Sequence, residues 1–146
     1  MGEAEYRNLA SIASGLEFFR SLVGAKLEKV LAHIEFAQYD AGETVFKKGG
    51  LPEAFYIINQ GSVRIHLGYS FFGLFRKMAH LKAGDLFGEM TLIENRTHSG
   101  TATAEETTTL FILPRDHFDQ LLKSDPEFAD LMHFVVSRRK PTVTPK

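Results

Sequence analysis

Between His33 and Leu113 the chain never sustains a helical repeat; it runs instead as short alternating segments punctuated by glycine. Such spacing is the signature of strands linked by tight turns. Ile34 to Tyr39 alternates, Asp40-Ala41-Gly42-Glu43 turns, and Thr44-Val45-Phe46 extends again. A loop follows at Lys47-Lys48-Gly49-Gly50-Leu51-Pro52, then a buried strand at Phe55 to Ile58 and a turn at Asn59-Gln60-Gly61-Ser62. Val63, Ile65 and Leu67 share one face, and Arg64 and His66 the other. A hairpin around Gly68 to Gly73 leads into a return strand from Leu74 to Leu81. Thr101 to Ala104 and Thr107 to Leu113 supply two more strands. Many short strands in one segment predict a mainly antiparallel β-roll, jelly-roll-like, with helices flanking it at both ends.

The flanks follow a helical period. Tyr6 to Ser14 and Ser21 to Ala32 are expected as helices, separated by Gly15 and a turn at Leu16-Glu17-Phe18-Phe19 that plugs apolar side chains into a core. After the roll, Asp116 is expected to cap a helix over His117 to Lys123. Pro126 opens another helix, with Phe128, Leu131, Met132 and Val135 on its apolar face. Pro141 should stop it, leaving residues 141–146 as a disordered tail after a single domain over residues 1–140.

Composition narrows function by exclusion. Net charge is −1, so no overall basic field points to nucleic acid. There is no cysteine, which removes disulfides, thiolate metal sites and thiol redox chemistry and fits a cytoplasmic setting. No run of eighteen apolar residues occurs, and the N-terminus lacks the pattern of a signal peptide. The six histidines (His33, His66, His80, His98, His117 and His133) are scattered rather than paired for a metal. No nucleophile–base motif is present, so an enzyme is not expected and neither is a cofactor.

The stretch with chemistry in it is Gly84 to Ala104. A turn at Ala83-Gly84-Asp85 precedes a short helical segment around Gly88 to Ile93, and Leu86, Met90 and Ile93 can share its apolar face. Gly88 permits close backbone approach to a ligand. The amides at a helix start are free donors that favour an anion. Glu89 beside them makes sense as an acceptor for hydroxyls, such as those of a sugar.

This stretch resembles the phosphate-binding cassette of the cyclic-nucleotide-binding domain family, the type found in catabolite activator protein and the protein kinase A regulatory subunit. The family pattern runs Phe-Gly-Glu-Leu/Met-Ala-Leu-Leu/Ile, then a variable segment, then Arg-Ser/Ala/Thr-Ala-Thr/Ser-Val-x-Ala. Phe87-Gly88-Glu89-Met90-Thr91-Leu92-Ile93 matches the first part, and Ser99-Gly100-Thr101-Ala102-Thr103-Ala104 the second. The spacing of Gly42, Gly49, Gly61, Gly84 and Gly88 resembles the family across the whole roll. The resemblance implies a regulatory module for cyclic AMP, cyclic GMP or a related anion. Its ligand-binding candidates here are Phe87, Gly88, Glu89, Met90, Thr91, Arg96, His98 and Ser99. In the family the glutamate accepts from the ribose 2′-hydroxyl and the arginine pairs with the cyclic phosphate; here that arginine is His98. Neutral imidazole offers one N–H and no charge, whereas arginine offers a permanent charge and a bidentate fork. Arg96, two residues earlier, is the alternative phosphate donor, and Ser99 can donate through hydroxyl and amide.

Two functions therefore stay open. One is a sensor that binds nucleotide, weakly for want of the arginine. The other is a degenerate relative that acts through protein contacts. Tyr69-Ser70-Phe71-Phe72-Gly73-Leu74-Phe75 with Arg76 and Lys77 is the candidate surface for a partner, a membrane surface or self-association. The chain continues into neither a helix-turn-helix nor a recognisable base-capping residue.

Overall fold

The structure is a computed structural model that describes residues 2–15, 25–66 and 78–143. The turn expected at Leu16 to Phe19 and the aromatic segment Tyr69–Phe75 lie outside the described residues.

Among the described residues, two helices, α1 (Glu3–Gly15) and α2 (Ala25–Ala32), precede eight strands: β1 (Glu35–Tyr39), β2 (Thr44–Phe46), β3 (Ala54–Gln60), β4 (Ser62–His66), β5 (Met78–Lys82), β6 (Leu86–Phe87), β7 (Thr101–Ala104) and β8 (Thr108–Pro114). A short helix, α3 (Glu89–Glu94), interrupts them between β6 and β7, and α4 (Arg115–Ser124) and α5 (Pro126–Val143) close the chain. The strands pair antiparallel in two four-stranded sheets, ordered β1-β8-β3-β6 and β2-β7-β4-β5. The expected β-roll flanked by helices is the observed fold.

The strand β3 explains how the layers meet. Its first six residues are buried on both faces, as its unbroken apolar run requires. Phe55 and Ile57 pack with Leu9, Val30, Phe111, Phe118, Phe128 and Met132 under the helices. Ala54, Tyr56 and Ile58 pack with Val63, Ile65, Phe87, Ala102 and Leu110 inside the roll. On β4 the alternation holds: Val63 and Ile65 are buried and Arg64 and His66 are half-buried.

The turn after β3 is tighter than expected, because the strand runs to Gln60 and leaves Gly61 alone before β4. Gly61 has φ 100°, and a Cβ there would stand 2.4 Å from Thr108 Oγ1, so only glycine fits. Thr108 Oγ1 in turn accepts from the Ser62 amide at 3.1 Å.

The helices after the roll depart from expectation at their ends. Asp116 is not a cap. Strand β8 feeds α4 without a gap, the cap position is Pro114 in extended geometry, and Asp116 stands inside the first turn. The Arg115 amide is satisfied by the Glu53 carbonyl at 2.8 Å, so no side-chain cap is needed there. One helix later the expected start is observed: Pro126 is the first residue of α5, and Asp125 Oδ1 accepts from the Phe128 amide at 3.2 Å. Helix α5 passes Pro141 and ends at Val143. A proline removes one ladder bond, and here that loss falls in the last turn.

Candidate nucleotide site

Strand β6 hands the chain from both cores to the site. Leu86 belongs to the core under the helices and Phe87 to the roll interior. Phe87 stacks on Tyr56 with centroids 5.1 Å apart. Gly88 then turns the backbone at φ 83° and ψ −5° and forms the N-cap of α3. A Cβ on Gly88 would lie 3.0 Å from the Tyr56 ring, so both conformation and contact demand glycine. The helix therefore starts one residue later than expected, at Glu89.

Glu89 is buried at 3% exposure. Its carboxylate stands in the first turn of α3, where the backbone amides favour negative charge. Thr91 is also buried, and its Oγ1 lies 3.2 Å from the Gly88 carbonyl oxygen and 3.0 Å from His98 Nδ1. The side chain of Met90 is outside the described residues. Helix α3 ends at Asn95, a left-handed residue at φ 52° whose amide donates to the Leu92 carbonyl. The Asn95 side chain accepts from Arg115 Nη2, at the start of α4. Arg115 also reaches the Pro52 carbonyl at 3.4 Å. One guanidinium thus ties α3, α4 and the loop before β3 together.

His98 is where the arrangement differs most from a phosphate clamp. The residue is 3% exposed and lies parallel to Phe46, with centroids 3.7 Å apart and planes 7° apart. Its backbone exchanges hydrogen bonds with the glycine loop: Gly49 N–H donates to the His98 carbonyl at 2.8 Å, and His98 N–H donates to the Gly50 carbonyl at 2.9 Å. Lys48 N–H adds a bond to Thr101 Oγ1 at 3.0 Å. Nε2 is buried without a hydrogen-bond partner. Burial, helped by the nearby Arg96 cation, holds the imidazole below its ordinary pKa.

Arg96 is engaged elsewhere, with Nε 2.7 Å from Glu94 Oε1 and its amide on the Thr91 carbonyl. Ser99 is half-buried at the entry to β7. The structure therefore brings Phe87, Gly88, Glu89, Thr91 and His98 into one contiguous patch, with Arg96 turned back to Glu94 at the end of α3. Phe46 and the Gly49–Gly50 loop were not among the expected site residues. Their approach to His98 spans about fifty residues of chain, and no local pattern reports it.

Among the described residues no three histidine, aspartate or glutamate side chains converge as a metal site, and no helix is long and apolar enough to cross a membrane.

Residues 36–125 match the Cyclic nucleotide-binding domain family. The Cyclic AMP receptor protein of Thermus thermophilus is 32% identical over 128 residues, covering 86% of this chain and 57% of that protein. A cGMP-dependent protein kinase of Toxoplasma gondii is 27% identical over 109 residues, 75% of this chain and 10% of the kinase. The chain thus spans little more than half of the first relative and a tenth of the second. Among solved structures, the Catabolite Activator Protein of Thermus thermophilus aligns with a TM-score of 0.73 at 28% identity, over 86% of this chain and 59% of that one. The sensor domain of the transcriptional regulator DNR from Pseudomonas aeruginosa shares the fold with a TM-score of 0.76 at 22% identity, over 92% and 89%. A roll of this topology, a glycine-started helix carrying a buried glutamate, and a family match over most of the described strands lead to one conclusion: the chain belongs to the cyclic nucleotide-binding domain family.

Proposed function

We propose that this protein is a regulatory sensor module that binds cyclic AMP, cyclic GMP or a related anionic ligand at the α3 turn, with affinity limited by the missing arginine. The observation that carries the reading is the Phe87-Gly88-Glu89 turn, where a left-handed glycine starts the helix and a buried carboxylate stands in its first turn. Glu89 accepts from the ribose 2′-hydroxyl. Ser99 and the backbone around Gly88 serve the phosphate edge, with His98 or a released Arg96 as the cationic partner. A ligand that pulls on α3 is felt at α4 through Asn95 and Arg115, so binding shifts the population of α4 and α5 positions rather than driving chemistry. The test is calorimetric titration of the purified chain with cyclic AMP and with cyclic GMP at pH 6 and pH 8. Saturable heat with either nucleotide supports the reading, and none with both up to millimolar ligand overturns it.

One observation favours the second reading, an interaction module that has lost its ligand. His98 is packed on Phe46 with its Nε2 closed to solvent. In that state it is a core residue, and an anion reaches it only after its cover opens. The segment Tyr69–Phe75 is then the stretch of sequence to test for a protein partner or for self-association.

A further inference from the structure

The hydrogen atoms around His98 can be counted. Thr91 has one hydroxyl proton and two candidate acceptors, the Gly88 carbonyl at 3.2 Å and His98 Nδ1 at 3.0 Å. Among the described residues the Gly88 carbonyl also receives a long bond from the Leu92 amide, at 3.4 Å. If Thr91 donates to Nδ1, the neutral ring carries its proton on Nε2, and that N–H is buried with no acceptor. Orphaned buried N–H groups are rarer and costlier than under-used acceptors. If Thr91 donates to Gly88 instead, Nδ1–H donates to Thr91 and only an acceptor nitrogen is left unmet. The second arrangement satisfies more of the site.

We propose that Thr91 holds His98 as the tautomer protonated on Nδ1, so that Nε2 becomes a donor to a ligand anion only when the ring takes up a second proton. Thr91 is then a positioning residue for this site: it acts through His98 and does not itself touch the ligand. The neutral ring presents a lone pair, which repels phosphate oxygens. The imidazolium keeps its Nδ1–H on Thr91, keeps its stack on Phe46 with a cation–π gain, and offers Nε2 as a charged donor to an anion once the cover over that buried edge opens. Anion binding at this edge is thereby coupled to one proton. The charged and titratable groups on the elements packed around the ring are Arg96 on its own segment, Glu89 and Glu94 on α3, Lys47 and Lys48 on the glycine loop and Tyr56 on β3. Arg96 opposes the second proton, and its pairing with Glu94 moderates that opposition.

The ligand half of this inference rests on the nucleotide-binding reading, whereas the tautomer half concerns the free protein and is tested separately. Long-range proton–nitrogen spectra of the nitrogen-15-labelled chain at pH 7.5, with His98 assigned by its loss in His98→Gln, should show a protonated Nδ1 and a bare Nε2. Thr91→Ser should keep that pattern, and Thr91→Val, equal in size but without a hydroxyl, should move the proton toward Nε2. A wild-type ring already protonated on Nε2, or a pattern unchanged in Thr91→Val, overturns the assignment. For cyclic AMP, affinity of wild type and Thr91→Ser should rise by up to about tenfold per pH unit as pH falls from 8 toward 6.5, the slope for one coupled proton. Thr91→Val, with a neutral donor available, should show less than half that slope; an equal slope overturns the coupling. If none of the three binds cyclic AMP, the same pH series is run with cyclic GMP; if neither nucleotide binds, the nucleotide-binding reading falls and the proton-coupled half falls with it, while the spectra still decide the tautomer.

Discussion

The His98 imidazole lies flat on the Phe46 ring, centroids 3.7 Å apart, in a layer that continues through Tyr56 and Phe87. A residue in an arginine's place is thus packed as an aromatic. Its pKa is lowered by burial and by Arg96, so the folded chain binds this proton less readily than the unfolded chain, where histidine titrates near about 6.5. The neutral ring's stabilisation is fully present above that pH and is lost as pH falls through the lowered folded value. His98→Gln should cost about 0.5–1.5 kcal/mol at pH 7.5 through the lost ring pair, and the gap to wild type should narrow by pH 5. Denaturant unfolding of both proteins at the two pH values checks this. A gap that stays constant would show that the ring does not resist protonation.

Gly88 and Gly84 separate backbone strain from contact. Both have positive φ, 83° and 93°, but a Cβ on Gly84 meets nothing within 4 Å whereas one on Gly88 stands 3.0 Å from Tyr56. Gly84→Ala should lose only the conformational cost, about 1–2 kcal/mol. Gly88→Ala adds a clash with a ring that is itself stacked on Phe87, and should lose on the order of 1–3 kcal/mol more. Equal losses in thermal or denaturant unfolding would mean that Tyr56 yields freely.

How far these sites could be read from the chain depends on how local their causes are. The alternation of Val63 and Ile65 against Arg64 and His66 is a property of four consecutive residues, and it places β4 correctly. Positive φ at Gly42, Gly49, Gly61, Gly84 and Gly88 is what their turn positions suggest. The start of α4 is not marked by a side-chain cap at Asp116, because the Glu53 carbonyl in the loop before β3 meets the first amide. Burial of His98 was not legible at all. It depends on Phe46 and on the Gly49–Gly50 loop folding across it, and sequence marks His98 only as a polar residue in an arginine's place. Thr91 was visible as a motif position, but its hydroxyl's choice between Gly88 and His98 exists only in three dimensions.

Glu89 gives the sharpest test of the sugar half of the site. If its buried carboxylate accepts from a ribose hydroxyl, Glu89→Ala should weaken cyclic nucleotide binding by about 1.5–3 kcal/mol, the range for a hydrogen bond to a charged group. A 2′-deoxy analogue lacks that hydroxyl and should be nearly indifferent to the substitution. Calorimetry with both ligands on both proteins completes the cycle. Equal losses would show that Glu89 supports the turn and does not touch the sugar.

His98→Arg restores the charge that the family pattern places here. Position 50 in the facing loop is glycine, so no side chain stands at that position, where a Cβ would lie 3.9 Å from the imidazole Cδ2. Without ligand the guanidinium would be partly desolvated beside Phe46, and the free variant should be less stable than wild type. Ligand should return that stability by mass action. A guanidinium keeps its charge at all relevant pH and matches two phosphate oxygens at once. Binding of cyclic AMP or cyclic GMP should therefore tighten at pH 7 to 8 by on the order of 1–3 kcal/mol, and the pH dependence of wild type should flatten. Titration of both proteins at pH 6 and pH 8 reads both effects. Tight, pH-independent binding by wild type would assign the phosphate to Arg96, freed from Glu94. A folded arginine variant that still binds neither nucleotide would mean that the pocket is closed by its own packing, and the interaction-module reading would replace the sensor.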